Sequence, residues 1–427
     1  MNVRVRVLDG LWVFLLGLYI LAGTPVVPFH GDESTTLWMS RDFAYLRDDL
    51  NRVRFHRPPL NATEQELRLI TTSLTKYAMG ISWSLNGYTA EDINEQWDWG
   101  AGWDYNQQFG HAPDDRLLML GRWPSALMLA VGVGVLFGIG LQVAGRPAAY
   151  AATLYYALNP ALLLNGRRAM FEGGFILFLL LIVFCALWFV RRRDWLSALL
   201  LGLVTGLAVS AKHPAVFTAA AVFAGSAGLF LWQMRRERQT MQALVKWVAA
   251  GVLSLLVFYA MNPIWWDDPL ARVGQSLEAR ANMLEGQVNA FGDYTGFGDQ
   301  IVGFGRQVLV VLPQYYEVDG WETFIGDQIA RYEDTLWRGV SIGGSLPGAF
   351  IVSVLAVLGF WQLLRTGPLP VRWVLLPWVI VVVGVALLTP LEWQRYYLMA
   401  HLVMAVLLGL GIQNIASWLA QRQQRVH

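Results

Sequence analysis

The chain has 427 residues, of which 55% are hydrophobic and only 15% are charged, and its mean hydropathy is +0.41. Soluble domains carry about 25% charged residues, so this composition excludes an ordinary soluble protein and indicates a polytopic membrane protein. The net charge of +1 excludes the basic field that nucleic-acid binding requires. The single cysteine, Cys185, excludes intramolecular disulfides and cysteine-based metal sites.

Apolar segments long enough for membrane helices recur along the whole chain. A transmembrane helix needs about 20 mostly apolar residues. Ten such segments begin near Leu11, Ser125, Ala148, Ala169, Trp195, Ala215, Leu244, Leu346, Trp373 and Tyr396. The sequence therefore predicts an all-α polytopic membrane protein, with residues 1–427 forming a single integral membrane domain of about ten transmembrane helices. The first segment could instead be a cleaved signal peptide, although no convincing cleavage site follows it.

Basic residues predict the orientation of the bundle, because they concentrate in cytoplasmic connections. One side would carry Arg4, Arg6, Arg146, Arg191, Arg192, Arg193, Arg235, Arg236, Arg238, Lys246, Arg365, Arg372, Arg422 and Arg425. Both termini are then cytoplasmic, and the arginine-rich composition suggests a bacterial inner membrane, that is, a multi-pass plasma membrane. Two long loops, 29–122 and 262–345, lie outside. We expect amphipathic surface helices in them, for example over residues 64–83.

Two adjacent carboxylates, Asp32 and Glu33, follow directly on the first apolar segment. Adjacent acids repel, so one pKa of the pair should be raised, which suits a base that takes a proton from an attacking hydroxyl. Two alternatives are open. The carboxylates could bind a divalent cation such as Mg²⁺ or Mn²⁺, or Asp32 or Ser34 could cap a surface helix.

Three short outer connections carry basic residues, against the orientation rule. They contain Arg167 with Arg168, Lys212 with His213, and Arg395 with Tyr396. Each could simply reach outward to lipid headgroups. Because arginine and lysine both suit phosphate oxygens, the three connections together favour an anion, such as a lipid-linked phosphate, at the outer surface. Glu172, one helical turn after Arg168, would either pair with that arginine or accept a sugar hydroxyl.

Several short motifs occur in order along the membrane part. They are His30-Gly31-Asp32-Glu33, Leu120-Gly121-Arg122-Trp123-Pro124, Asn159-Pro160, Gly166-Arg167-Arg168-Ala169-Met170-Phe171-Glu172, Gly206-Leu207-Ala208-Val209-Ser210-Ala211-Lys212 and Arg395-Tyr396-Tyr397. Together they resemble the GT-C glycosyltransferases, in particular bacterial relatives of the dolichyl-phosphate-mannose protein mannosyltransferases and the aminoarabinose lipid A transferases. The expected fold is therefore a GT-C-like helical bundle.

The resemblance implies a polyprenyl-phosphate sugar donor and an inverting transfer on the extracytoplasmic face, to a lipid, glycan or protein acceptor. It implies that Asp32 is the base or acceptor-binding acid and that Glu33 is its supporting neighbour. Lys212 and Arg395 would lie near the donor phosphate. No cofactor is expected to be required, and a divalent cation at Asp32 and Glu33 stays open.

Two other classes of function compete with an enzyme. A secondary transporter places ionisable groups near the middle of the membrane and often has repeated halves, whereas the charges here lie at the outer edge and no internal repeat is visible. A non-catalytic membrane scaffold would tolerate replacement of every residue singled out above. Tryptophans of the first loop, such as Trp97, Trp99 and Trp103, suit either the membrane interface or stacking on sugar rings.

Overall fold

The computed structural model describes residues 3–234 and 239–426, and these residues form nineteen α-helices and no strand. The first nine helices are α1 Val3–Ala22, α2 Gly31–Met39, α3 Asp42–Asp48, α4 Ala62–Ile70, α5 Leu74–Leu85, α6 Trp103–Gln108, α7 Asp115–Val143, α8 Arg146–Leu158 and α9 Pro160–Arg167. The others are α10 Glu172–Arg192, α11 Trp195–Ala211, α12 Ala215–Met234, α13 Gln239–Met261, α14 Pro269–Phe291, α15 Phe297–Phe304, α16 Glu322–Glu333, α17 Leu346–Thr366, α18 Leu369–Leu387 and α19 Leu398–Val426.

Eight of the described helices are long and apolar enough to cross a membrane, namely α1, α7, α10, α12, α13, α17, α18 and α19. Of the other two predicted spans, α11 has only 17 residues, and the one beginning near Ala148 is divided into α8 and α9. The division falls at Asn159-Pro160, where the Asn159 side chain caps α9 by accepting from the Leu162 N–H. An all-helical membrane fold is confirmed, whereas the count of about ten spans is not. The predicted cytoplasmic residues Arg235, Arg236 and Arg238 lie outside the described residues.

The bundle packs around α10, which contacts α7, α11 and α12, while α19 packs between α8 and α17. Close approach of helices requires small residues at particular positions. Gly173 of α10 is one of them, because a Cβ there would lie 2.1 Å from the backbone oxygen of Ser125 in α7. This contact fixes the start of α10 against α7, and the start of α10 is where the charged residues of the outer surface begin.

The two long loops that the sequence predicts to be outer fold over one end of the bundle and contact each other. The first loop contains α2 to α6, and the second contains α14 to α16. They meet in a cluster of apolar side chains that includes Phe29, Trp97, Trp103, Trp321 and Ile325. Residues 64–83, where surface helices are expected, are helical in two pieces, because α4 ends at Ile70 and α5 begins at Leu74. The break lets residues 71 and 72 line a cavity.

Candidate active site

A cavity of about 530 Å³ lies between α2, α14, the segment before α19 and the outer ends of α10 to α12. Its charged and ionisable lining residues are Asp32, Glu172, Lys212, His213, Arg280 and Arg395. Much of its remaining wall is apolar and includes Leu67, Ile70, Phe171, Phe217, Leu277 and Leu284. A cavity lined by both charged and apolar side chains suits an amphiphile with an anionic head.

Helix α2 places Asp32 at this cavity, and its start is fixed by a capping box. His30 has an extended backbone (φ −137°, ψ 138°), and its Nδ1 accepts from the Asp32 N–H at 3.1 Å. In return, Glu33 accepts from the His30 N–H at 3.1 Å. The predicted cap by Asp32 or Ser34 is therefore wrong, because His30 occupies the N-cap position. Both carboxylates lie in the first helical turn, where the helix dipole favours negative charge.

Asp32 is the carboxylate that faces the cavity. Its side chain is 28% exposed and forms an ion pair with Arg395. Burial by itself raises the pKa of Asp32, but Arg395 and then His30 outweigh it and hold the pKa of this carboxyl below its usual range. The expectation that one acid of the pair has a raised pKa is wrong, because each carboxylate has its own cation. Asp32 is thus an ionised acid at the cavity surface.

Glu33 is fully buried and is held by Arg122 of α7, whose Nε and Nη2 each donate to it at 2.7 Å. The Ala169 N–H donates to it at 2.8 Å. Burial raises the pKa of Glu33, and Arg122 more than offsets this, so that the pKa is lowered. Because both oxygens are already occupied, Glu33 does not fit a cation shared with Asp32. Residues 3–234 and 239–426 contain no cluster of three His, Cys, Asp or Glu side chains that could hold a metal.

Lys212 and Glu172 form an ion pair at 2.5 Å in the lining of the cavity. Lys212 follows the last residue of α11, and Glu172 begins α10. Burial lowers the pKa of Lys212, and Glu172 opposes this effect. The second carboxylate oxygen of Glu172 and the Nε2 of His213 have no hydrogen-bond partner among the described residues. These unpaired polar atoms are available to a bound ligand.

Arg167 and Arg168 lie behind the cavity and are fully buried. Arg167 donates through Nε to the Ile20 carbonyl at 2.7 Å and through Nη1 to the Tyr332 hydroxyl at 3.1 Å. Arg168 donates through Nε to the Pro28 carbonyl at 3.2 Å. In the described part of the chain, neither arginine lines the cavity. The structure therefore brings Lys212, His213, Arg395 and Tyr396 to Asp32, but not this pair.

Two charged residues of the site have no counterpart in the sequence-based prediction. Arg280 of α14 lines the cavity between Leu277 and Leu284, and the helical spacing of these three residues is the signal that could have indicated it. Glu317 lies in an irregular segment, and its carboxylate is 2.6 Å from His30 Nε2 and 3.6 Å from Arg395 Nε. Burial raises the pKa of Glu317, but Arg395 and His30 hold it well below its usual range. No sequence pattern indicated Glu317.

The chain resembles one protein family over part of its length, and most of the chain shares the fold of solved oligosaccharyltransferases. Residues 74–265 match the family model described as dolichyl-phosphate-mannose-protein mannosyltransferase. Similar solved structures include three of the Archaeoglobus fulgidus oligosaccharyltransferase: the apo form (TM-score 0.54, 12% identity, 94% of this chain), the complex of AglB with an inhibitory peptide and a dolichol-phosphate (0.54, 12%, 96%), and the complex with Zn and sulfate (0.55, 13%, 96%).

This chain covers 50% of the length of each of those solved chains. Among curated proteins, no sequence matches at a significant level. At 12 to 13% identity, the structural likeness concerns the fold. The resemblance inferred from the short motifs is matched by the family model over residues 74–265 and, for the fold, by the solved structures.

Proposed function

We propose that the protein transfers one sugar from a polyprenyl-phosphate carrier to an acceptor hydroxyl on the extracytoplasmic face, with inversion at the anomeric carbon. One observation carries the proposal: an ionised carboxylate, Asp32, shares a cavity with the cations Lys212, Arg280 and Arg395, and the same cavity has an apolar wall. The family match and the dolichol-phosphate in the AglB complex support a lipid-linked donor.

The donor would lie with the first part of its polyprenyl chain against the apolar wall and its phosphate among the cations. Lys212 and Arg395 would stabilise the charge that grows on the departing phosphate, because charged donors in a poorly hydrated cavity interact strongly with a developing anion. Arg280 stands on the α14 side of the same space. Residues of α4, such as Leu67 and Ile70, would contact the lipid.

Asp32 would act as the base. It would accept the proton of the acceptor hydroxyl while that oxygen attacks the anomeric carbon and the bond to the phosphate oxygen breaks, with the electron pair leaving on the phosphate. Attack from the face opposite the phosphate inverts the anomeric centre. Glu33 would support this chemistry indirectly, through the ion pair with Arg122 that holds the start of α2. The family name and the peptide in the AglB complex favour a protein acceptor.

The test compares wild type with Asp32→Asn in purified protein supplied with radiolabelled polyprenyl-phosphate sugars. The amide has the same shape but cannot accept the proton, so we expect the release of sugar from the lipid to fall by about a hundredfold or more. Asp48→Asn is the matched control, because Asp48 is an exposed outer-loop acid paired with Arg47. Equal turnover by wild type and Asp32→Asn would remove Asp32 from the mechanism. Absence of turnover by wild type with every lipid-linked sugar would reject the proposed function.

A further inference from the structure

Glu317 of the second outer loop contacts both residues that hold Asp32. Its Oε2 is 2.6 Å from His30 Nε2, and its Oε1 is 3.6 Å from Arg395 Nε. His30 is the N-cap residue of α2, and Arg395 is the ion-pair partner of Asp32. The side chain of Glu317 is 8% exposed. A buried carboxylate from a separate loop therefore stands directly behind the proposed base.

The hydrogen bonds of His30 assign the position of its proton. Nδ1 accepts from the Asp32 N–H, so Nδ1 carries a lone pair and the proton lies on Nε2, which donates to Glu317. The partner of one ring nitrogen fixes the state of the other. If the proton moved to Nδ1, two N–H groups would face each other and the cap of α2 would be lost.

The orientation of the His30 ring is fixed by aromatic residues from both outer loops. Its centroid is 6.2 Å from that of Trp99 in the first loop and 5.7 Å from that of Trp321 in the second. Trp99 and Trp321 also stack on each other, with 5.5 Å between their centroids. Because the ring is held in this way, the hydrogen-bond partners of His30 determine its tautomer, and Glu317 is the partner at Nε2.

We propose that Glu317 is a positioning residue: by accepting from Nε2 it fixes the His30 tautomer that caps α2 at Asp32, and it anchors the guanidinium that pairs with Asp32. This inference rests on the proposed function, because it is Asp32 that Glu317 positions. It gives one residue of the second outer loop, Glu317, a part in holding the proposed base. The ionisable groups that face Asp32 in this arrangement are His30, Arg395 and Glu317.

A double-mutant cycle between Glu317 and His30 tests the proposal. Glu317→Ala removes the acceptor for Nε2, whereas Glu317→Gln keeps a neutral acceptor oxygen. His30→Asn keeps a capping side chain but loses the contact with Glu317. The readout is hydrogen exchange of the 30–39 peptide in lipid nanodiscs, which needs no turnover, followed by measurement of kcat with a lipid-linked sugar.

In the wild-type background, we expect Glu317→Ala to raise exchange of the 30–39 peptide by about tenfold, the size of a lost helix cap. Glu317→Gln should stay much closer to wild type. In the His30→Asn background, Glu317→Ala should add nothing to the exchange. Glu322→Ala, an exposed acid of the same loop, should leave exchange and kcat unchanged. With wild-type His30 present, kcat should fall by about tenfold in Glu317→Ala.

Three outcomes would overturn the proposal: equal effects of Glu317→Ala in both backgrounds, equal exchange in Glu317→Gln and Glu317→Ala, or raised exchange with unchanged kcat. Intact coupling in a protein without any turnover would instead reject only the proposed function. If Glu317→Ala does not accumulate as folded protein, ¹⁵N NMR of histidine-labelled wild type decides, with the His30 signals assigned by His30→Asn. A His30 ring with its proton on Nδ1 and none on Nε2 would contradict the proposal.

Discussion

Arg395 donates to the carboxylate of Asp32 across 363 residues of chain. Asp32 lies in the first turn of α2, and Arg395 lies just before α19, so this ion pair joins the first outer loop to the last connection of the bundle. Lys212 is likewise paired with Glu172. Both of these cations, which would bind the donor phosphate, therefore have an acid partner in the free protein. An entering phosphate therefore has to compete with Asp32 for Arg395 and with Glu172 for Lys212.

Arg395→Gln should move the acid limb of the pH profile of kcat/KM to higher pH. Burial raises the pKa of Asp32, and Arg395 and His30 lower it to a net value below 3.8. Without the guanidinium, the effect of burial on the pKa of Asp32 dominates, so Asp32 takes up its proton at a higher pH. Initial rates measured between about pH 4 and pH 8 locate this limb, which reports a free-enzyme pKa. Arg306→Gln, in an exposed pair with Glu392, should leave it in place. An acid limb at the same pH in Arg395→Gln would exclude Asp32 as the group that titrates.

Lys212→Gln should raise the KM for the donor by roughly tenfold or more. A hydrogen bond to a charged group contributes about 1.5–3 kcal/mol, and each 1.4 kcal/mol corresponds to about tenfold in affinity. The inhibition constant of sugar-free polyprenyl phosphate should change in parallel. Lys246→Gln is the control, because Lys246 donates to the Arg193 carbonyl at the other end of α10. An unchanged KM in Lys212→Gln would place the phosphate elsewhere.

Arg122→Gln should destabilise the protein by about 3–5 kcal/mol, because it leaves the buried charge of Glu33 without its partner. Thermal unfolding in detergent measures the change. Arg47→Gln, which breaks the exposed pair with Asp48, should leave the unfolding temperature where it is. A combined change of Arg122 and Glu33 to glutamine should cost less than Arg122→Gln alone, since no uncompensated charge then remains. If the double variant were less stable than Arg122→Gln, Glu33 would not be held mainly by its ion pair with Arg122.

His213 should make the folded protein less stable in acid. Burial, with Arg280 adding to it, lowers the pKa of His213 from 6.5 to about 4. As the pH falls below 6.5, the unfolded chain takes up a proton that the folded chain excludes, so stability is lost down to about pH 4, by up to about 3 kcal/mol. His213→Gln should remove this loss, and His56→Gln at the loop surface should not. Unfolding temperatures at pH 7.5 and pH 5 give the comparison, and identical acid sensitivity of both variants would contradict it.

Gly31→Ala should impair both folding and turnover. A Cβ at Gly31 would lie 2.9 Å from Trp99 Cη2 and 3.0 Å from Trp321 Cη2, and overpacking of this kind costs about 1–3 kcal/mol. Gly274→Ala in α14 is the control, because no described atom lies within 4 Å of its Cβ and alanine favours a helix. Tryptophan fluorescence and sugar release report the two effects. A fully active Gly31→Ala variant would show that the Trp99 and Trp321 side chains can move aside without disturbing α2.

The sequence predicted the helical class, and it indicated Asp32, Lys212 and Arg395 as residues that meet, because charges are costly beside apolar segments and are seldom placed there without a partner. It did not predict which charges turn inward. Arg167 and Arg168 donate to the carbonyl groups of Ile20 and Pro28 and to residues of the second loop, and such backbone partners have no signature in composition or spacing. Glu317 was not predicted either, because its segment has neither helical nor strand periodicity.

The division at Asn159-Pro160 shows a second limit. The sequence places this motif at the close of the segment that begins near Ala148, and α8 does end there. The asparagine cap and the proline also begin a further helix, α9. The packing of α9 against α7 and α10 has no signal in the local sequence.

The contact between Asp32 and the partners that arrive last along the chain also has a bearing on biosynthesis. A ribosome delivers the acid 363 residues before Arg395, and Glu317 likewise emerges only after the helices between them. Nascent or prematurely terminated products that lack these two residues therefore contain the carboxylate without either partner, and under the proposed function they would not consume carrier lipid.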